Sequence, residues 1–126
     1  NWDNLSLNIS DKAIELLKDN IQYINWCNLS LNTNDKAIKL LKINQNKINW
    51  DNLSLNINDN VFKLLEVYHK KNKNINNLSK NTNIQVLKLL EKYKYDIDWN
   101  ILSSQLYIFE NIKYKYNDEI FNSLLK

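Results

Sequence analysis

A seven-residue phrase recurs along this chain and limits what it can fold into. Trp-Asp-Asn-Leu-Ser-Leu-Asn occupies residues 2–8, returns at 26–32 with Cys27 as its single change, and returns unchanged at 50–56. The Leu-Ser pair continues at Leu78-Ser79 and Leu102-Ser103, so the leucines at 5, 29, 53, 78 and 102 are spaced by 24, 24, 25 and 24 residues. A second phrase follows each time. Asp-Lys-Ala-Ile-Glu-Leu-Leu-Lys from Asp11 becomes Asp-Lys-Ala-Ile-Lys-Leu-Leu-Lys from Asp35 and Asp-Asn-Val-Phe-Lys-Leu-Leu-Glu from Asp59. Further copies start at Ile84 and, more diverged, at Asp118. A fixed period of this length marks an array of small units, none of which can cover its own apolar side. The units fall at about 1–24, 25–48, 49–73, 74–97 and 98–126, the last a diverged or capping unit, and together make one domain over 1–126.

Each unit reads as two helices. In the second phrase Ala13, Ile14, Leu16, Leu17 and Ile21 share one side of a helix while Lys12, Glu15, Lys18 and Asp19 share the other, and no alternation of period two competes. In the first phrase Trp and the Leu three residues on share a face over a shorter helix. Helices this short are marginal in water unless neighbours stack on them. The expected architecture is all-α: an α-helical solenoid, or α-α superhelix, of about five two-helix repeats. The expected core comprises Trp2, Leu5, Trp26, Leu29, Trp50, Leu53, Leu78, Trp99 and Leu102 from the first helices. The second helices add Ala13, Ile14, Leu17, Ala37, Ile38, Leu41, Phe62, Leu65, Leu87 and Leu90.

Asn25, Asn49 and Asp98 are expected to cap the first helices, and Asn8, Asn32, Asn56 and Asn81 the second. Gly and Pro are absent, so the turns must be made otherwise. Asn tolerates left-handed backbone angles, which suggests Asn20, Asn44, Asn46 and Asn72 for them. The junction at 68–77 carries one extra residue and lacks the expected Trp, with Ile75 nearest to its place, so it is expected to be the softest joint.

Composition adds little about individual residues. Asn (25), Lys (17), Ile (15) and Tyr (7) fill 64 of 126 positions, all with A/T-rich codons, so the bias reads as genomic and a single Asn or Lys carries little weight. The chain does not open on Met, which is expected of a fragment or processed product, and its polar start has no signal-peptide pattern. No apolar run approaches a membrane span. The lone Cys27 excludes an internal disulfide and a multi-cysteine zinc site.

A catalytic set is not visible. His69 is the single histidine, lies in a lysine-rich stretch, and is expected at the surface. Cys27 fills a slot held by Asp3 and Asp51 in sister units and reads as a surface substitution. Ser6, Ser30, Ser54, Ser79 and Ser103 recur unit by unit, as packing residues do and an active site does not. A glycine-rich phosphate loop is impossible here, and neither metal-ligand spacing nor a cofactor motif is present. The expectation is a protein that is not an enzyme and needs no cofactor.

The pattern Ile-Asn-Trp-x-x-Leu-Ser-x-Asn, then Ala-Ile-x-Leu-Leu, stands here as residues 24–32 with Ala37 to Leu41. It resembles short tandem repeats of giant viruses of amoebae and covers about four of the five units. Those relatives often carry Pro after the Asn, where this chain has Ile9, Thr33, Ile57 and Thr82. The resemblance implies a viral repeat protein in the cytoplasm of an infected host cell or in a viral particle, and carries no catalytic residue with it.

Charge and variation suggest a binding face. Lys39, Lys63 and Lys88 hold one exposed slot in successive units, and residues 63–94 hold eight lysines against two glutamates. With the variable slot of Ile43, Val67 and Lys92, these six residues form the candidate partner surface, Ile43 and Val67 being its apolar anchor. The leading expectation is a non-enzymatic protein–protein interaction scaffold whose partner is another protein, host or viral, with an acidic surface. The alternatives are a nucleic-acid-binding helical repeat using the lysine stripe and a structural subunit of a particle or filament that self-associates end to end. The absence of Arg weighs against base-specific recognition.

Overall fold

The structure, a computed structural model, describes residues 1–71 (for Lys70 and Lys71 the backbone alone) and residues 78, 81, 83, 85, 88, 89 and 92. The described residues are helical, with no strand among them. Three short helices, α1 (Trp2–Leu7), α3 (Trp26–Leu31) and α5 (Trp50–Leu53), alternate with three longer ones, α2 (Asp11–Lys18), α4 (Asp35–Ile43) and α6 (Val61–Lys71). Contacts run within a unit, α1 to α2, α3 to α4 and α5 to α6, and between units, α1 to α3, α3 to α5 and α2 to α4. Trp99, Leu102, Leu87, Leu90, Asp98, Asn72, Ile75 and the whole fifth unit lie outside the described residues, as does most of the irregular junction.

Asparagine starts the short helices as the sequence suggests. The Asn1, Asn25 and Asn49 side chains accept from the N–H groups of Asp3, Asn28 and Asn52, at 2.8, 3.1 and 2.9 Å. The second helices are capped two residues later than expected. Ser10 and Asn34 are the N-caps, accepting from Ala13 and Lys36 N–H at 3.3 and 2.7 Å. Asn8 and Asn32 instead close the preceding short helices, in extended conformation at ψ 122° and 125°. The two steps are linked, because Asn32 Oδ1 accepts from Asn34 N–H at 3.0 Å and Asn56 Oδ1 from Asn58 N–H at 2.9 Å. Each side chain caps the N–H two residues on, which turns the chain from one helix into the next.

The turn at the far end also differs from expectation. Asn20 (φ −135°, ψ 50°) and Asn44 (φ −125°, ψ 47°) keep negative φ, so no left-handed residue is used at either. Their side-chain amides instead donate to the carbonyls of Leu16 and Leu40, four residues back, at 2.9 and 2.8 Å. That satisfies carbonyls the helix ends leave open. Asn46 lies inside a 3-10 turn, Gln45–Lys47, the counterpart of Ile21–Tyr23 in the first unit. The helix pairs are thus joined by a third small element that the hydrophobic pattern did not announce. The sharp turns need no glycine because they stay in ordinary φ space.

The core is a set of leucine columns. Leu17, Leu41 and Leu65 are fully buried, as are Leu29, Leu53 and Leu78. Ala13, Ile14, Ala37 and Ile38 are buried beside them. Trp2, Leu5, Trp26, Trp50 and Phe62 are half-buried and pack against the same cluster. Trp2 stacks on Tyr23 (ring centroids 4.9 Å apart) and Trp50 on Tyr68 (4.4 Å). Ile24, Ile48, Leu40, Val61, Leu64 and Leu89 are also buried. Ile24 and Ile48 follow the 3-10 turns and point inward from extended backbone. Leu16 (48% exposed) and Ile21 (44%) do not join the core, contrary to the helical-face reading.

His69 is a further correction, since it is 3% exposed rather than on the surface. Helix α6 continues to Lys71, so His69 falls four residues after Leu65 and eight after Val61, on their buried side.

Candidate functional site

Polar side chains bind the units together and fix the surface they present. Asn32 is 2% exposed, and its amide donates to the main-chain carbonyls of Ser6 and Asn8 in the preceding unit, at 3.0 and 2.9 Å. Asn56 repeats this on Ser30 and Asn32 (3.0 and 2.9 Å), and Asn81 on Ser54 and Asn56 (both 2.8 Å). A parallel row lies outside it. Asn34 donates to Ile9 O and to the Asp11 carboxylate, Asn58 to Thr33 O and Asp35, and Asn83 to Ile57 O and Asp59. The serines form a third row. The Ser6 and Ser30 hydroxyls donate to Trp2 O and Trp26 O within their helices and accept from the N–H of Asn25 and Asn49 in the next unit. The extra residue before Leu78 does not break these rows, because Asn81 meets Asn56 O at a separation of 25 residues where Asn56 meets Asn32 O at 24.

These bonds also set the electrostatics. The Asn34 amide, and then Lys36, hold the Asp11 carboxyl below the usual carboxylate range. The Asn58 and Asn60 amides do the same for Asp35. Lys36 is pushed above the usual lysine value by Glu15 and Asp11, at 2.8 and 3.1 Å. The acidic row is therefore already occupied by side-chain donors.

On α4 and α6 a groove of about 780 Å³ opens. Ile38, Phe62, Leu64 and Val67 supply its apolar lining, and Lys39, Lys42 and Lys63 its cations. None of these three lysines has an ion pair or hydrogen bond among the described residues, whereas Asp35 and Asp59, which also line the groove, are held by asparagines. The structure brings Lys39, Lys63 and Val67 together here, with Val67 51% exposed. Ile43 is 75% exposed, and Lys88 is exposed too, but neither lines the groove. Lys92 is exposed with its ammonium on Glu66.

The sequence reading missed Lys42 as a groove residue and placed Phe62 only in the core. The one sequence signal for Phe62 is that it puts a ring in the slot that Ile14 and Ile38 hold in the sister units. Of the other chemistry-bearing groups, Cys27 is exposed and accepts from the Asn49 amide at 3.4 Å, in the place where Asp3 accepts from Asn25. Among the described residues no group of three His, Cys, Asp or Glu side chains could hold a metal ion, and no helix is long and apolar enough to cross a membrane. Comparison with protein families, curated proteins and solved structures finds nothing that matches this chain.

Proposed function

We propose that the chain is an α-helical solenoid acting as a non-enzymatic scaffold, with the α4–α6 groove as its contact surface for an acidic protein segment. The observation that carries this reading is the pairing pattern. The groove's carboxylates are engaged by asparagines of the array, while Lys39, Lys42 and Lys63 make no ion pair or hydrogen bond among the described residues, Lys39 acting on Asp35 only through space, beside an apolar lining. A helix carrying Asp or Glu at its rim and one or two large apolar residues at its centre has the matching chemistry. Three rows of inter-unit hydrogen bonds hold the groove in place, which lowers the ordering cost of binding. The likeness to giant-virus repeats adds the proposal that such a partner is met in an infected cell.

A displayed library of helical peptides, varied in acidic and apolar positions, tests this. Enriched peptides are expected to be acidic and to bind the Lys39→Glu/Lys63→Glu protein at least about tenfold more weakly, with an unchanged thermal melt. Equal binding to the double variant would remove the groove as the contact surface.

The second reading uses the same lysines for a nucleic-acid backbone. Binding of a fluorescent single strand or duplex at low salt, falling steeply toward physiological salt, would support it. No binding at low salt would eliminate it.

A further inference from the structure

We infer that the joints between units set which acidic segments the groove accepts: helices with two carboxylates one unit apart, about 10 Å. The inference rests on the groove reading above and adds its spacing and its reach. Two slots that face each other across a joint carry the argument. One is held by Glu15, Lys39 and Lys63, the other by Lys36, Asn60 and Gln85 of the unit that follows.

The first joint closes its own charge. Lys36 Nζ lies 2.8 Å from Glu15 and 3.1 Å from Asp11. At the second joint both slots change. Asn60 keeps with Asp35, at 3.0 Å, the bond that Lys36 makes to Asp11, but Lys39 stands where Glu15 stood. At the third joint Lys63 again replaces the acid, and Gln85 again replaces the lysine. The two slots change together, so neither joint sets two of these ammoniums face to face. Each is left with an exposed cation to which no carboxylate is bonded among the described residues. Asn60 and Gln85 line the groove beside these cations with neutral amides. A carboxylate from outside completes there the ion pair that the first joint makes internally.

Helix geometry turns that pairing into a sequence rule. Lys39 and Lys63 hold one slot on α4 and α6, so they stand about 10 Å apart, the interaxial distance of packed helices. On a helix laid across α4 and α6, residues seven apart share one face at about 10.5 Å. The residue four on from the first faces the same way and comes down between them, on the lining of Phe62 and Val67. The fitting segment is Glu-x-x-x-Leu-x-x-Glu, not an acidic run as such. Its reach ends at the first joint, where Asp11, Glu15 and Lys36 together keep a negative charge.

Three fluorescent, alanine-rich helical peptides test this by anisotropy at low salt. The first carries two Glu seven apart, with Leu four after the first Glu. The second has the same residues with the glutamates three apart and Leu seven after the first. The third has Gln for both glutamates. The first is expected to bind the 126-residue chain at least about tenfold more tightly than the other two. Lys39→Glu/Asn60→Lys builds the first joint's pair into the second and is expected to abolish that preference. Glu15→Lys/Lys36→Asn does the reverse at the first joint. It is expected to tighten, at least about tenfold, a peptide lengthened by one more seven-residue step to a third Glu. Each exchange uses residues that a sister joint already holds, and exposed ion pairs add little to stability, so the thermal melts should not move. Lys47→Gln, a loss of charge outside the groove, is expected to leave binding intact. Equal binding of the first two peptides, an unchanged preference in Lys39→Glu/Asn60→Lys, no gain from Glu15→Lys/Lys36→Asn, or an equal loss in Lys47→Gln would overturn the inference and leave the groove standing. A first peptide that does not bind, or binds no better than the third, would remove the groove reading and this inference with it.

Discussion

Asparagine is the residue on which the molecule turns, and it does three separate jobs by position. Asn25 and Asn49 cap helices, Asn20 and Asn44 close them, and Asn32, Asn56 and Asn81 bridge units from inside. Asn56 shows why no other side chain serves at the bridging position. Its amide nitrogen donates twice to carbonyls and its oxygen accepts from Asn58 N–H, all within 3.0 Å and 2% exposed. Asn56→Ala strands two buried carbonyls and one N–H and is expected to cost about 2–4 kcal/mol in denaturant melts at neutral pH. Asn56→Asp is expected to cost more there, because a carboxylate would face two carbonyl oxygens in a buried site. Burial and those oxygens raise the variant carboxyl's pKa, so the variant should regain stability as pH falls, when a protonated acid can donate again. An Asn56→Asp protein with the stability of wild type at neutral pH would show that the bridge contributes little. Composition concealed this role. An A/T-rich bias explains why Asn is frequent, and it drew attention away from Asn recurring in fixed slots. A bond to a carbonyl 24 residues away leaves no mark on hydrophobic periodicity.

At the scale of elements, the helices themselves were legible because burial on one side writes a 3.6-residue period into the sequence. Their ends were less so. The expected caps at Asn8 and Asn32 lay two residues early, ahead of Ser10 and Asn34, because two asparagines in series, Asn32 and Asn34, both suit a helix start and only their partners distinguish them. The 3-10 turns were invisible, being too short to carry a period. The negative φ of Asn44 makes a further distinction testable. In a left-handed turn Asn44→Gly would be neutral or stabilising. Here it removes the amide that holds Leu40 O and adds backbone freedom to the unfolded chain, so a loss of about 1–2 kcal/mol is expected in a thermal or urea melt. The same elements carry an acid response. Asp11 and Asp35 titrate lower in the folded chain than in the unfolded one. Their contribution is therefore complete above the ordinary carboxylate range and is lost as pH falls through their folded values. Asp35→Asn keeps an acceptor for Asn58 but removes the titration, and the acid limb of its stability curve should be shallower than that of wild type. Lys36, shifted the other way, contributes fully below the ordinary lysine value and loses that contribution as pH rises through its raised one.

For the whole molecule the governing quantity is the joint between units. Each described joint repeats the same bonds, from Asn32 to Asn8, Asn56 to Asn32 and Asn81 to Asn56, and each buries the same leucine slots. If the chain is a stacked array, its stability is a sum of unit terms and joint terms. Deleting residues 33–56 removes 24 positions and one joint, and leaves Asn32 followed by Ile57 and Asn58 in the register that Asn32, Thr33 and Asn34 hold in the intact chain. Asn81 would then meet Ser30 O and Asn32 O in place of Ser54 O and Asn56 O. The shortened protein is expected to unfold in one cooperative transition, at lower denaturant and with a smaller slope, in proportion to the surface it no longer buries. Deleting residues 33–44 removes half as many positions, brings α3 up against a 3-10 turn and sets Asn56 at about half its spacing from Ser30 O and Asn32 O, while Asn81 keeps its spacing to Ser54 O and Asn56 O. Although it keeps more of the chain, that protein should be the less stable of the two. Circular dichroism in a urea series ranks them, and the reverse order would mean that the 24-residue period is not the unit in which this molecule is built.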